Sequence, residues 1–425
     1  MEGLAWLWRL GPRLDAPAAT AVGVGGPDDA GELAGLLRAH RLAGAVILAP
    51  GGGPAVGPLP ARRIRSGTAR FGSLRTEGGH TLFAEGRAVV RSSLGLHAIR
   101  DGDVLMLGAG AEQWGSLDAF WSLEAIAGFL RERLGRPLVA LPPIGCLRLD
   151  DFPGTAELQL LGGAKPDARQ LRRARALVGR LEKARARLVV AVAARALREG
   201  AEVPLDDVWP SAVAALADGV RRGVLEPACH GLLHLDPVAG RERRVDPREF
   251  ARLDAAEAGR RLDLATAWLA DHVGAPRSFV APAWGYGAGA LTAASARGLP
   301  TWLPPGPGPL LDGTLLRETL AIGLPGLHRL DYGPLRRLAA IGLPPTVVFH
   351  GRLLDDRLPR LRAGRDLAGA ARLALRPDLL RIMRMGGIRW VGAAELVEAL
   401  ARHDRIVVTG DRVAAGEGPP PRLLT

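Results

Sequence analysis

Four short stretches of this chain carry residue types that do hydrolytic chemistry. Leu149-Asp150-Asp151-Phe152-Pro153-Gly154 places two adjacent carboxylates after an apolar run. Cys229-His230-Gly231-Leu232-Leu233-His234 spaces two imidazoles i, i+4, which on a helical turn gives them one face and a bite that suits a divalent cation. A carboxylate from Asp150 or Asp151 would complete a two-His, one-carboxylate set and leave coordination positions open for water and substrate. Thr346-Val347-Val348-Phe349-His350 ends a β-branched run in a histidine. Phe279-Val280-Ala281-Pro282-Ala283-Trp284-Gly285-Tyr286-Gly287 runs into a Pro/Gly loop whose two aromatics could stack on the apolar face of a sugar ring.

Each stretch has a plainer reading: a solvated Asp-Asp turn, a chance His-x3-His, a core histidine, aromatics that pack the end of a sheet. Their shared placement separates the readings. All four follow directly on a buried-strand pattern, and in parallel α/β barrels reactive side chains sit at the C-terminal ends of strands.

The elements that must hold them begin near residue 138. Apolar runs at Leu138–Leu141, Cys146–Leu149, Leu188–Val192, Leu225–Cys229, Ser278–Ala281, Pro300–Leu303, Thr346–Phe349 and Ile388–Val391 read as strands. Helical patterns at Arg169–Ala186, Trp209–Arg222, Pro247–His272, Ala288–Arg297 and Arg376–Met385 lie between most of them. Such alternation predicts parallel strands with crossover helices, here a (β/α) barrel of seven or eight strands.

Residues 1–137 read as a separate small α/β unit. It has a helix at Asp28–His40, strands at Ala45–Leu48 and Asp103–Leu107, a strand pair at Thr81–Ala84 and Ala88–Arg91 around Glu85-Gly86, and a helix at Ala119–Leu134. The loop Pro50-Gly51-Gly52-Gly53-Pro54 matches neither the dinucleotide fingerprint nor the P-loop and reads as a turn. Residues 404–425 form a C-terminal strand and a tail that should fray from Pro419 onward.

Composition excludes several classes. Of 425 residues, 48% are hydrophobic and 24% charged, which is ordinary globular usage rather than that of a disordered or collagen-like chain. Apolar runs such as Leu188–Ala194 fall far short of the roughly 20 residues a membrane helix needs. Glu2 stands where an export signal carries positive charge, so the expected location is the cytoplasm. The net charge of +12 is spread along the chain, and only two of the 56 basic residues, Lys165 and Lys183, are lysines. That is compositional bias, not the single basic stripe of a nucleic-acid binder. Cys146 and Cys229 exclude a disulfide framework and a four-cysteine zinc site, and each reads as a small buried strand residue.

Taken in order, the four strand-end motifs resemble those of the polysaccharide deacetylase superfamily, metal-dependent de-N-acylases built on a distorted (β/α)7 barrel. The resemblance spans roughly residues 138–403 and leaves out the first 137. It implies that Asp151, His230 and His234 hold one divalent ion, zinc first, with Co2+, Mn2+ or Ni2+ also suited to nitrogen and oxygen donors. It implies that Asp150 is the general base and His350 the acid that protonates the departing amine. Pro282, Trp284 and Tyr286 would bind substrate, and the Trp284 backbone N–H would help hold the oxyanion. The implied substrate is an N-acylated sugar or small glycoside. Two departures stand out. Ala281 occupies the place where the family's third motif carries an arginine that holds the base, the nearest arginine being Arg277. No aspartate near Thr301–Leu303 matches the fourth motif, and Asp331 is the remaining partner for His350. A barrel that has lost catalysis and serves as a carbohydrate-binding or scaffold protein is the competing reading. Retention of Asp150, Asp151, His230, His234 and His350 argues against it, and metal content with an acetate-release assay separates the two.

Overall fold

The computed structural model describes residues 22–25, 30–39, 42–48, 62–71, 74–83, 87–92, 95–108, 120–135, 138–160, 165–236, 246–304, 314–322, 333–350, 382–409, 412–414 and 422–424. The loop at 50–54, Asp331, residues 376–381 of the expected helix and the prolines at 419–421 lie outside them.

The first unit runs β1 (Val22–Gly25), α1 (Ala30–Arg38), β2 (Gly44–Leu48), β3 (Arg62–Phe71), β4 (Leu74–Phe83), β5 (Arg87–Ser92), β6 (Gly95–Asp101), β7 (Val104–Leu107) and α2 (Phe120–Leu134). Its sheet has the order β1-β2-β7-β6-β4-β3, with β5 added on β6. Among the described residues the strand pair expected around Glu85-Gly86 does not form. β5 pairs with β6 and β4 with β3, and only Leu82 opposite Leu96 ties β4 to β6. The gaps explain the choice: two residues separate β3 from β4 and β5 from β6, the commonest hairpin length, whereas three separate β4 from β5.

The second unit runs β8 (Leu138–Ala140), β9 (Ile144–Asp150), α3 (Ala156–Leu160), α4 (Asp167–Ala184), β10 (Leu188–Val192), a hairpin of β11 (Arg195–Arg198) and β12 (Ala201–Pro204), α5 (Pro210–Arg221), β13 (Leu225–Cys229), α6 (Ala255–His272), β14 (Phe279–Val280), α7 (Ala288–Ala296), β15 (Thr301–Leu303), β16 (Leu315–Arg317), β17 (Leu320–Ile322), α8 (Gly333–Ala340), β18 (Thr346–His350), β19 (Arg389–Val391) and α9 (Ala393–Asp404). A hairpin of β20 (Val407–Thr409) and β21 (Arg412–Ala414) follows, then β22 (Arg422–Leu424). Nine strands form one sheet, β16-β15-β14-β13-β10-β9-β18-β17 with β19 on β9, and every pairing in it is parallel. This is the α/β architecture the alternation predicts.

The two ends of this sheet are consecutive in the chain. β16 pairs with β15 and β17 with β18, and only Glu318 and Thr319 stand between them. The N–H of Glu318 bonds Leu303 O (3.0 Å) on one side, and that of Thr319 bonds Thr346 O (2.9 Å) on the other. Among the described residues no ladder joins β16 to β17. The ring is bridged there by covalent continuity, and residues 315–322 act as one bent strand at the seventh position. This segment takes the place expected for Leu138–Leu141. That stretch instead pairs, as β8, with β22 in an antiparallel ribbon, so the tail expected to fray is tied down at residues 422–424.

Alternate residues of the barrel strands fall into two apolar clusters, as a period of two requires. Leu147, Leu149, Leu188, Val190, Val192 and Phe279 pack with the surrounding helices. Cys146, Val189, Ala191, Ala228, Val280, Trp302 and Leu316 join Leu396 and Leu400 of α9 and Phe120, Ile126 and Leu130 of α2. Both cysteines are therefore buried strand residues. The helix expected at Pro247–His272 starts only at Ala255. The Asp254 side chain accepts the Glu257 N–H (2.8 Å), an N-cap that fixes the first turn and leaves residues 246–254 irregular. No helix among the described residues is long and apolar enough to cross a membrane.

β9 is held by β18 on one side and splayed from β10 on the other, where β19 pairs with its first three residues. Gly145 makes this possible: a Cβ there would lie 2.6 Å from the Trp390 ring and 2.9 Å from the Pro345 carbonyl. Gly145→Ala should therefore cost about 1–3 kcal/mol through overpacking, read as a fall in the urea midpoint with an unchanged slope.

Candidate active site

β9 alternates Cys146, Arg148 and Asp150 on its inward face. The next residue, Asp151, leaves the strand with φ 60°, followed by a cis Phe152–Pro153 peptide. The left-handed turn brings the Asp151 carboxylate back to the mouth rather than out into the helices. Gly154 lets Trp209 close over this turn, since a Cβ there would lie 2.5 Å from the indole. The Trp209 indole N–H donates to Lys165 O at 2.7 Å.

Asp151 Oδ1 lies 3.2 Å from Nε2 of both His230 and His234. The imidazole centroids are 4.8 Å apart in an edge-to-face arrangement, and all three side chains are buried. The histidines do not share a helical turn. Residues 232–235 form a series of bends, entered through Gly231 at φ 80° and with His234 at φ 63°. The amides that a helix would aim at carbonyls four residues back go to the Glu249 carboxylate instead: Leu232 N (3.1 Å), Leu233 N (3.0 Å) and His234 N (2.8 Å).

The donor set fits a cation. His230 Nδ1 lies 2.9 Å from Val280 O, and a carbonyl only accepts, so Nδ1 carries the proton. In a neutral ring Nε2 then presents a lone pair to the Asp151 carboxylate. His234 turns its Nδ1 towards Glu157 Oε2 at 3.5 Å, an electrostatic contact rather than a hydrogen bond. Two lone pairs and a carboxylate aimed at one point need a positive charge there. Backing of the far ring nitrogen by a carbonyl or carboxylate is how metal-binding histidines are oriented. Asp151, His230 and His234 form the one such group of three among the described residues. Burial pushes the Asp151 carboxyl up, but its contacts with the His230 and His234 rings outweigh this and hold it well below its ordinary range. Burial lowers His234 and its Asp151 contact raises it more, with Glu157 adding, so the net shift is upward.

Asp150 faces the interior. Arg148, two residues back on the same strand, grips it with two hydrogen bonds, Nε–Oδ1 at 2.7 Å and Nη2–Oδ2 at 2.8 Å. Nη2 also reaches Glu318 Oε1 (2.5 Å) at the bend of residues 315–322, and the guanidinium lies 5.0 Å over the Trp302 ring. The arginine absent at Ala281 is thus supplied from β9, and an acidic residue next to it comes from Glu318. Neither was anticipated. Burial pushes the Asp150 carboxyl up, yet the Arg148 charge and hydrogen bonds bring it below its ordinary value, with His230 and His350 contributing. Glu318 moves the other way: its burial outweighs Arg148 and its carboxyl is raised.

His350 ends β18 directly opposite Asp150 in the ladder and is half-buried. Its ring stands edge-on to Trp284, centroids 5.9 Å apart, and the Trp284 indole N–H donates to Glu318 Oε1 at 3.0 Å. Of the residues expected to bind substrate, Trp284 is half-buried on this rim. Pro282 is buried, and Tyr286 packs edge-on against Phe279 with its hydroxyl inside. Trp284 cannot offer its backbone N–H to an oxyanion, because that group donates to Ala281 O at 3.1 Å. The amides of Gly285 and Tyr286 also donate within the loop. The short 3-10 turn over residues 282–284, with Ala283 and Trp284 at φ 48° and 52°, uses these donors internally.

No protein-family model and no curated protein matches the chain. Among solved structures it is similar to a CE4-family pseudoenzyme from Bacillus anthracis, at 11% identity over 60% of this chain and a TM-score of 0.34. The chain spans 66% of the pseudoenzyme, just under two thirds of its length. It is also similar to a family 4 acetyl xylan esterase from Clostridium thermocellum, in complex with a cobalt ion, at 13% identity over 60% of this chain and 90% of that one, TM-score 0.32. A further similarity is to Agd3, a carbohydrate deacetylase, at 11% identity over 91% and 80% of the two chains, TM-score 0.40.

Arg148 separates two buried carboxylates, so Arg148→Met should destabilise the fold by about 3–5 kcal/mol, measured by denaturant unfolding. Adding Glu318→Gln should restore part of that loss, because it removes one of the stranded charges.

Proposed function

We propose that this chain is a metal-dependent hydrolase that removes an N-acetyl or related acyl group from a sugar or small glycoside. The observation that carries the reading is the convergence, at the C-terminal ends of β9, β13 and β18, of a buried Asp–His–His set with a second carboxylate and a third imidazole beside it. The sugar class rests on the resemblance of the motifs.

A divalent ion at Asp151, His230 and His234 would polarise the acyl carbonyl and bring a water's pKa towards neutrality. Asp150 would act as the base that takes a proton from the attacking water as the water oxygen bonds to the acyl carbon. Arg148 fixes the Asp150 carboxylate and keeps it ionised despite burial, so a proton acceptor is available without any rearrangement. The C–N bond then breaks and its electron pair stays with nitrogen, which receives a proton from His350. Trp284 on the rim offers an aromatic face for the sugar ring and, through its edge-on contact, limits the positions open to the His350 ring.

Metal content by mass spectrometry and acetate release from N-acetylglucosamine oligomers test this together. The wild-type chain should hold one equivalent of Zn2+ or Co2+ and release acetate. Asp151→Ala and His230→Ala should lose the metal, and Asp150→Asn should keep it and lose turnover by at least about 100-fold. Metal retained by both ligand variants would overturn the centre. Full activity in Asp150→Asn would overturn the base, and a metal-loaded chain inert towards every acylated sugar would favour the binding or scaffold reading.

A further inference from the structure

We infer that Glu249 is the positioning residue of the histidine loop: its buried carboxylate, bound by three consecutive amides, sets the conformation in which His234 faces Asp151 and His230. The inference rests on the reading of those three residues as a cation site.

The loop from Gly231 to His234 makes its carbonyl bonds outward, to the N–H groups of Ala194 and Arg195 beyond β10. Its own amides at 232, 233 and 234 all point the other way, to one carboxylate. Oε2 receives Leu232, Leu233 and His234, and Oε1 receives Leu232 N (3.2 Å) and Arg261 Nη1 (2.9 Å). Glu249 is fully buried. A run of amides converging on one anion is a nest, and its geometry exists only while the anion is there. Position 231 is shaped around the same atom: a Cβ on Gly231 would stand 2.5 Å from Glu249 Oε2, and its φ of 80° suits only glycine well. Arg261 anchors the carboxylate from α6, and its Nε is held by Glu257 Oε1 at 2.9 Å. The irregular stretch before α6 is thus what brings a glutamate to this point, and Asp254 prevents a helix from absorbing it.

A neutral amide cannot replace this carboxylate. Glutamine has one accepting oxygen: if it serves the three amides, its NH2 faces the Arg261 guanidinium and the anchor is lost, and if it serves Arg261, the amides lose their acceptor. Either way His234, held at φ 63° by the last and shortest of these amide bonds, would be aimed less firmly.

The test compares the metal-free full-length wild type with Glu249→Gln and Asp263→Asn. It uses hydrogen exchange of the peptide covering residues 231–236, and titration with Co2+ read by visible absorption. Glu249→Gln should speed exchange at 232–234 and weaken Co2+ binding by about 10–100-fold with an altered absorption band, as for other groups that orient metal ligands. Asp263→Asn, which removes an exposed pair between α6 and Arg297, should leave both near wild type. Faster exchange with unchanged Co2+ affinity, or no change in either, would overturn the positioning role. If Glu249→Gln does not fold, Arg261→Met, which releases the carboxylate from its anchor but leaves it in place, decides by the same readouts. A smaller loss of affinity supports the inference and none refutes it. Failure of the wild type to bind Co2+ would instead overturn the metal centre, and the exchange rates alone would still show whether Glu249 orders the loop.

Discussion

Two neighbouring carboxylates cannot serve one cleft from an unbroken strand, because successive side chains point to opposite faces. The rest of this site depends on how β9 meets that constraint. The strand ends at Asp150, and Asp151 enters the left-handed region. One carboxylate therefore stays in the interior register of Arg148, and the other swings round to the histidines. Such a conformation costs of order 1–3 kcal/mol for a residue other than glycine and persists only where its surroundings enforce it. Here Trp209 fills the space beside Gly154, and the Gln170 amide donates to the Pro153 carbonyl. His234, Ala283 and Trp284 share the same backbone region, so four of the six left-handed residues other than glycine among the described residues stand around this mouth.

The same division separates two electrostatic environments a few ångströms apart. Asp151 faces two imidazoles, one with its outer nitrogen bonded to Val280 O and the other with its outer nitrogen turned towards Glu157. Asp150 is balanced by a guanidinium that never titrates in the working range. Arg148 can be buried at this depth because both its carboxylates, and the Trp302 ring beneath it, belong to the barrel wall. The opposite shifts of Asp150 and Glu318 around one arginine follow from contact. Asp150 has a bidentate grip, whereas Glu318 is reached by a single guanidinium nitrogen while it also feels Asp150.

The strand ends and the order of their motifs were readable from residue types, because period-two burial and the helices between strands leave a clear pattern. Arg148 had a signal that could have been used. In Cys146-Leu147-Arg148-Leu149-Asp150 it shares a face with Asp150, and a charge inside a central parallel strand must be paired. Glu318 had none. Leu315–Ile322 is two three-residue strands around a bend, too short for periodicity, while Leu138–Leu141 reads equally well as a barrel strand and pairs elsewhere. Glu249 was hidden by its neighbours. The apolar spacing through α6 extends backwards to Pro247, and only the Asp254–Glu257 cap shows that the chain at 249 is free to turn towards the histidine loop. The i, i+4 spacing of the histidines had the same weakness. It counts residues correctly but assumes a helix that Gly231 and the anion beneath it forbid.

The bend at Glu318–Thr319 acts as a clasp. Within two residues the backbone changes from β15 to β18 as its neighbour, and the residue at the crossing also carries the carboxylate on Arg148. Inserting or deleting a single residue there would reverse which side chains look inward, and it would unfasten the ring and strip the arginine of a partner in one event. Architecture and chemistry are thus tied to one count of residues. The length of this segment is expected to be fixed far more strictly than its amino-acid identities.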